Sequence, residues 1–305
     1  MGYMGFKKPD NKFICYGPNV ILIQEEKAEA ATIKPGLVVM KGTNDDDIVV
    51  CDGVTSAPIG FAGYEQSFLG SASVTSNRPA DVNSAYATGA KVPVLGGGGF
   101  VGVGTLAAGV AVKKGDLLAS WSGGTVVPVV PMLGGLGVKV PYAKSTAEKD
   151  TGIDLPAGLV VTDVVVQSIT AVASATIDIG ILSTESGGDA DGFVDGESIA
   201  TTGFIKHVNG NTTAASNTLG DYLVNVDIKS ADTSALYFSL PKFHVCDGTA
   251  KSVTYTTSDH NVAGNFYIVA FAPGFEVVGI AEETLTVSTD SNGVITQDVL
   301  VRSLI

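Results

Sequence analysis

Residues 175–181 read Ala-Thr-Ile-Asp-Ile-Gly-Ile, and this stretch decides the fold class. Its apolar residues alternate with threonine, aspartate and glycine, which is the period-two pattern of a strand with one buried face. The preceding stretch 160–166 is largely β-branched, and small residues around Ser174 separate the two, so we predict a hairpin. The following residues 186–197 are polar and rich in glycine, as expected of a surface loop. The pattern indicates a β-sandwich.

Composition extends this interpretation to the whole chain. At 305 residues the chain is long enough for two hydrophobic cores. Glycine is frequent, with 38 residues, and charged residues make up only 16% of the chain. Valine, threonine, alanine and isoleucine dominate, and no stretch of three helical turns shows a 3.6-residue apolar period. We therefore predict an all-β protein.

The net charge of −13 is unevenly distributed. Residues 1–150 contain 13 basic and 13 acidic residues, whereas 151–305 contain 5 basic and 18 acidic residues. The first part is therefore neutral and the second carries the whole −13. An acidic part whose only arginine is Arg302 repels phosphate backbones, so we predict no binding to nucleic acid.

The cysteines and the N-terminal residues indicate the cellular compartment in which the protein is made. Cys15, Cys51 and Cys246 are odd in number and widely spaced, so they predict buried thiols and neither a disulfide framework nor a zinc site. Residues 1–8 lack the apolar segment of a signal peptide, and no apolar run of 18 residues occurs. We expect a protein without a membrane segment, made in a reducing cytoplasm.

The order of turns and strands suggests three parts. Residues 1–29 are predicted to form an extended N-terminal arm, and short strands with frequent turn signals from residue 30 to 134 predict a small β-barrel. Seven or eight short strands in 135–275 predict an inserted β-sandwich of jelly-roll type. We hypothesise that 276–305 return to complete the barrel. Asn292-Gly293, between two short apolar runs, predicts a hairpin there.

An internal repeat supports this division. Residues 33–36 read Ile-Lys-Pro-Gly and residues 112–115 read Val-Lys-Lys-Gly, each followed by an apolar strand. The first copy finishes with Ile-Gly-Phe-Ala at 59–62, and the counterpart of that ending is Val-Gly-Ile-Ala at 278–281. The repeat predicts two related halves of one barrel.

Motifs of catalysis and cofactor binding are missing or incomplete. Gly102, Gly104 and Ala107 fit G-x-G-x-x-A, but the next predicted strand follows too soon for the helix that this fingerprint requires. The histidines lack the spacing of metal ligands; they are His207, His244 and His260. No P-loop, G-x-S-x-G elbow or cysteine–histidine signature occurs. We assign no catalytic residue and no cofactor.

One acidic loop raises a metal hypothesis. Calcium prefers several carboxylate and carbonyl oxygens on a loop that contains glycine. The loop and its flank supply Asp189, Asp191, Asp195 and Glu197. The loop departs from the EF-hand, since its glycine is at position four and no glutamate stands at position twelve. We therefore assign no metal and keep these four residues as weak calcium candidates.

Several stretches carry a resemblance to known proteins. Residues 38–62, with Asp-Gly followed by Ile-Gly-Phe-Ala, resemble the small β-barrel capsid cement proteins of tailed phages. Later motifs are similar to those of head decoration proteins of tailed bacterial and archaeal viruses: Leu-Pro-Ala-Gly at 155–158, Thr-Ile-Asp-Ile-Gly at 176–180, Asp-Ala-Asp-Gly-Phe at 189–193 and Val-Thr-Tyr-Thr-Thr at 253–257. The likeness covers most of the chain beyond residue 30.

The resemblance implies a function and a partner. It implies a non-enzymatic virion component on the outer surface of an icosahedral head, commonly a homotrimer, with the major capsid protein as its partner. Binding the mature lattice but not the broken one would stabilise the shell by mass action. We expect residues 1–135 to contact the capsid and the acidic sandwich to project outward.

Two alternatives remain open. The first is another virion component, such as a tail-tube, fibre-associated or host-receptor-binding protein. The second is an enzyme such as a glycan hydrolase, which needs two carboxylates in a cleft about 5–10 Å apart. No stretch of the sequence marks such a pair, so we predict that the protein is not an enzyme.

Overall fold

A computed structural model describes residues 22–64, 79, 81–205, 220, 222–223, 243–246, 248–258, 261–290 and 293–305. The described chain is built of strands, with one 3₁₀ turn at Ser122–Gly124. It divides into two compact units. Unit 1 comprises residues up to Pro128 together with Pro273–Ile305, and unit 2 comprises Val129–Ala272. The predicted all-β class, a barrel together with a sandwich, is confirmed.

The strands are numbered in chain order. The first ten are β1 (Leu22–Ala28), β2 (Val38–Lys41), β3 (Asp47–Val50), β4 (Pro58–Ala62), β5 (Lys91–Gly96), β6 (Val101–Leu106), β7 (Leu117–Ser120), β8 (Val126–Met132), β9 (Gly135–Ala143) and β10 (Lys149–Leu155). The others are β11 (Val160–Thr170), β12 (Thr176–Ile181), β13 (Val194–Ser198), β14 (Gly203–Ile205), β15 (His244–Val245), β16 (Lys251–Thr257), β17 (Ala263–Phe271), β18 (Val277–Ala281), β19 (Ser288–Asp290), β20 (Gly293–Ile295) and β21 (Gln297–Ser303).

Unit 1 contains a closed five-stranded barrel in the order β1-β3-β2-β4-β5. Antiparallel pairing of β1 with β5 closes it. Small and β-branched side chains fill its interior around Tyr86, which is fully buried and donates its hydroxyl to the carbonyl oxygen of Gly63 at 2.8 Å. A buried tyrosine hydroxyl needs such a partner, since an unpaired polar group in a core is destabilising.

Strand β1 revises the predicted arm. The sequence predicts an arm over 1–29, whereas Leu22–Ala28 form a barrel strand between β5 and β3. Its polar sequence conceals the strand, because the charged side chains lie outside the barrel. There Glu25 pairs with Lys91 and Lys27 pairs with Asp46. The rest of the predicted arm, residues 1–21, lies outside the described part of the chain.

The repeated Gly-containing turn recurs in three places. Gly36, Gly115 and Gly158 have φ values of 90°, 96° and 90°, a conformation that favours glycine. Each donates its N–H to a distant carbonyl; the acceptors are Ala62, Ala281 and Cys246 respectively. The residue after each glycine closes the turn by donating to the residue two positions before that glycine. The turn seen twice in the sequence therefore occurs a third time, at Gly158 in unit 2.

The two predicted copies lie in different sheets of unit 1. In the first copy β2 pairs with β4 in the barrel, and in the second β7 pairs with β18. Strands β7, β18, β21 and β6 are neighbours, in that order, in one sheet. The five-stranded barrel closes without the C-terminal strands, although 273–305 do belong to unit 1. The sequence placed the boundaries of the insertion at 134/135 and 275/276, and the units divide at 128/129 and 272/273.

Unit 2 is a two-sheet sandwich. One sheet contains β14, β11, β17 and β9 in that order, with β15 also paired to β11, and the other contains β10, β16, β12 and β13. The core between them is aromatic: Phe266 of β17 and Tyr255 of β16 have ring centroids 6.2 Å apart. Two of the short strands that the sequence predicts in 135–275, at 222–228 and 236–240, lie outside the described residues apart from Tyr222 and Leu223.

The predicted hairpin of 160–166 with 175–181 is wrong. Both stretches are strands, and Ser174 between them has a left-handed φ of 65°. However, β11 pairs with β17 and β12 pairs with β16, so the connection crosses from one sheet to the other. The crossing lets β11 and β12 each bury one apolar face in the same core from opposite sides.

Candidate functional site

The described residues contain no arrangement suited to metal chemistry. No group of three or more His, Cys, Asp or Glu side chains within them is placed to hold a metal ion. His244 packs on aromatic rings, with its centroid 4.3 Å from that of Tyr222 and 5.5 Å from that of Phe193. His207 and His260 lie outside the described residues. The position of His244 is that of a structural side chain.

The glycine fingerprint is part of a strand. Gly102 and Gly104 lie within β6, and no α-helix follows them in the described segment 101–132. The loop before β6 donates its N–H groups to the C-terminus: Gly98 to the carbonyl of Ile305 at 2.9 Å and Gly99 to that of Ser303 at 2.8 Å. These amides are occupied, so the loop is no phosphate cradle.

Two of the three cysteines can be placed. Cys51 and Cys246 are buried, and neither forms a disulfide. Burial raises the pKa of the Cys51 thiol, which opposes formation of the reactive thiolate. The expectation of buried thiols is confirmed for these two residues, and Cys15 lies outside the described part.

The four calcium candidates are spread along β12, since the Asp189 carbonyl lies at Ile181, at the end of the strand, and Glu197 is paired with Ile177 near its start. Asp189 and Asp191 are in the loop between β12 and β13, whereas Asp195 and Glu197 are in β13. Asp195 is exposed and Glu197 is buried, so the two do not share an environment. The loop packs on β12, where the Ile181 amide donates to the Asp189 carbonyl at 2.8 Å. The backbone carbonyl oxygen of Asp189 therefore already accepts a hydrogen bond from β12.

A further carboxylate, Asp178, lies beside this loop and was not singled out from the sequence. It is partly buried in β12, and the Gly196 amide donates to its Oδ1 at 2.7 Å. Burial raises the pKa of Asp178, and the charges of Asp195 and Asp191 raise it further, against the effect of that hydrogen bond. The raised pKa means that the charged form of Asp178 is disfavoured in the folded protein.

We expect Asp178→Asn to raise the melting temperature at pH 7 by a few degrees and to leave it nearly unchanged at pH 3. A carboxyl whose folded pKa exceeds its unfolded value of about 3.9 stabilises the fold while protonated, and this contribution is lost as the pH rises through the folded pKa. Asparagine keeps the oxygen that accepts from Gly196. Thermal unfolding at both pH values measures the effect, and an equal gain at pH 3 would contradict the electrostatic cause.

Exposed apolar side chains are concentrated in unit 2. Nine large hydrophobic side chains are exposed in the described residues, and seven of them belong to unit 2. The seven are Val130, Leu133, Ile169, Phe204, Phe243, Val245 and Phe271. Apolar surface gathered on one part of a protein marks an interaction site more often than scattered single residues do.

The register of three strands builds the centre of this surface. Val160 of β11 is paired with Val245 of β15 on one side and with Phe271 of β17 on the other. Directly opposed residues share a face of the sheet, so the three side chains form a row. Val245 is 54% exposed and Phe271 is 48% exposed, whereas the next residue inward, Ala270, is fully buried. The row lies on the face that points away from the core.

Two further exposed residues lie directly beside strands of this sheet. Phe243 is 61% exposed and directly precedes β15, two positions before Val245. Leu133 is fully exposed at the tip of the β8–β9 turn, which Gly134 makes with a φ of 99°. We call Leu133, Val160, Phe243, Val245 and Phe271 the apolar patch. Sequence analysis missed it, because each residue lies in or beside an apolar run whose exposed end only the sheet reveals.

Comparison of the chain with protein-family models, curated proteins and solved structures found no match. Within the described residues no helix has the length and apolarity needed to cross a membrane. The apolar patch and the fold are therefore the observations from which a function is inferred.

Proposed function

We propose that this protein is a non-enzymatic capsid decoration protein that binds the outer surface of a viral head and stabilises it. The observation that carries the proposal is the apolar patch on the β-sandwich of unit 2. Side chains such as Phe243 and Phe271, more than two-fifths exposed, are costly to leave in water and are stabilised when a partner covers them. The resemblance of residues beyond 30 to head decoration proteins supplies the class of partner, the major capsid protein.

The patch also bears on which unit makes the contact. The sequence predicts that residues 1–135 dock and that the acidic sandwich projects. Most exposed hydrophobic side chains favour the opposite. Val130 and Leu133 lie within 1–135, but the other five of unit 2 do not, and unit 1 presents only Ile295 and Leu304 in its described part. We therefore propose that unit 2 contacts the capsid. Burial of the patch against the mature lattice alone would stabilise that lattice by mass action.

We expect the double variant Val245→Ser, Phe271→Ser to lose at least about tenfold in affinity for intact heads, since two apolar anchors are removed from the contact. Co-sedimentation with purified heads over a range of protein concentrations measures the affinity. The matched control is Ile295→Ser, Leu304→Ser, which removes the exposed hydrophobic residues of unit 1 and should bind as the unaltered protein does. Far-UV circular dichroism and thermal unfolding check that both variants are folded.

Imaging of the same particles locates the protein. Density on the outside of the shell, with unit 2 innermost, supports the proposal. Binding lost in the control variant but kept in the patch variant would return the contact to unit 1. Absence from heads altogether would overturn the decoration function.

Exposed aromatic rings favour a second candidate, a host-receptor-binding component of the virion. Phe204 is 64% exposed on β14, and its ring lies 6.0 Å from that of Tyr267. Aromatic side chains are typical anchors of protein recognition sites. Labelled protein that binds host cells but not heads would favour this function over decoration.

A further inference from the structure

Unit 1 contains an open cleft of about 540 Å³ that is separate from the apolar patch. The turn before β2 supplies Thr32 and Lys34, β6 supplies Thr105, and the start of β21 supplies Gln297 and Asp298. This volume falls within the roughly 300–1,000 Å³ of small-molecule sites. The cleft is thus large enough to hold a ligand of one or two rings.

The lining is rich in hydroxyl and amide groups. Thr32, Asn83, Thr105 and Thr296 all line the cleft, and their side chains make no hydrogen bond to the described part of the chain. A hydroxyl or amide can both donate and accept. Four such groups around one space therefore match a ligand whose own groups do the same.

The net charge of the cleft lining and the apolar part of its wall restrict the chemical class of the ligand further. Among the described residues that line the cleft, only Lys34 and Asp298 are charged, and their opposite charges make this lining neutral overall. Pro35 and Leu37 are buried and provide an apolar part of the wall. A sugar ring has hydroxyls at its rim and an apolar face, which corresponds to this division.

We propose that this cleft binds a neutral sugar unit, such as a hexose or N-acetylhexosamine of a surface glycan. Threonine hydroxyls and the Asn83 amide would bond the ring hydroxyls, and the Pro35–Leu37 wall would contact the apolar face of the ring. Of the described lining residues only Asp298 is a carboxylate, whereas glycoside hydrolysis uses a pair. We therefore expect this cleft to bind the sugar without cleaving it.

Saturation-transfer NMR on the full chain tests the proposal with a panel of methyl glycosides: glucose, galactose, mannose, N-acetylglucosamine and N-acetylgalactosamine. Glucuronate and glucose 6-phosphate serve as charged probes. We expect saturation transfer from the protein to at least one neutral glycoside. The double variant Asn83→Ala, Thr105→Val should bind that glycoside about tenfold more weakly, because two neutral hydrogen bonds are lost.

A matched control is Thr88→Val, an exposed threonine of unit 1 that does not line the cleft, and its affinity should be unchanged. No transfer to any neutral glycoside at 20-fold excess over protein would overturn the proposal, as would equal affinity in the double variant. If glucuronate or glucose 6-phosphate bound more tightly than every neutral glycoside, the proposal of a neutral ligand would be overturned. None of these outcomes depends on head binding, so the decoration function is tested separately.

Discussion

Phe266→Ala is expected to destabilise the sandwich by about 3–5 kcal/mol, the range for removing a large side chain from a well-packed core. Phe266 is fully buried in β17, and its ring packs edge-on against Tyr255 of the facing sheet. Alanine would remove the apolar surface and leave a cavity between two hydrogen-bonded sheets that cannot easily move closer. Urea denaturation of the full chain, monitored by far-UV circular dichroism, measures the loss of unfolding free energy.

Phe271→Ala is the matched control, since it removes the same side chain from the same strand. Phe271 is 48% exposed on the outer face, so we expect a cost of less than about 1 kcal/mol. Similar losses for the two variants would contradict the assignment of β17's faces. Because the chain has two units, each unfolding transition must be fitted separately before a free energy is assigned.

Gly180→Ala is expected to cost about 3 kcal/mol, at the upper end of the range for overpacking. A Cβ at position 180 would overlap the backbone of Asp189 and Ala190, because the acidic loop lies directly on β12 at this residue. The alanine must therefore displace backbone and not only a side-chain tip. Thermal unfolding measures the cost, and hydrogen exchange at the amides of Ile181 and Phe193, which hold the loop to β12, measures its release.

The control for this variant is Gly196→Ala in β13. Gly196 has a φ of 66°, but a Cβ there would meet no heavy atom within 4 Å. We expect a cost of about 1 kcal/mol from the left-handed backbone alone, with slow exchange retained at Ile181 and Phe193. If the two alanines were equally destabilising, backbone preference would explain the glycine at 180, and the close packing of the acidic loop on β12 would not.

Local signals of the sequence determined most single strands. The alternation at 175–181 marks β12 because a half-buried strand requires it. Asn292-Gly293 predicts the hairpin of β19 with β20, and the structure pairs Asp290 with Gly293. The repeated Lys-containing turns at Gly36 and Gly115 are likewise local, since a positive φ selects glycine wherever the turn occurs.

The candidate surfaces could not be predicted in the same way. Phe266 and Phe271 belong to one apolar run of β17, yet one is buried in the core and the other is half exposed. Ten other described residues line the cleft of unit 1 with Thr105, among them Gln297 from a distant part of the chain, and no local pattern joins them. Burial at such positions depends on which distant strands lie beside them.

The sequence by itself determined the all-β class and the glycine turns at Gly36 and Gly115, because these depend on side-chain period and backbone preference within a few residues. Only the tertiary structure decided that β1 is a barrel strand and no arm, that β11 and β12 lie in opposite sheets, and that Val160, Val245 and Phe271 form one row. Strand pairing joins backbone groups that are the same in every residue, so its partners and register are chosen by the packing of the whole unit.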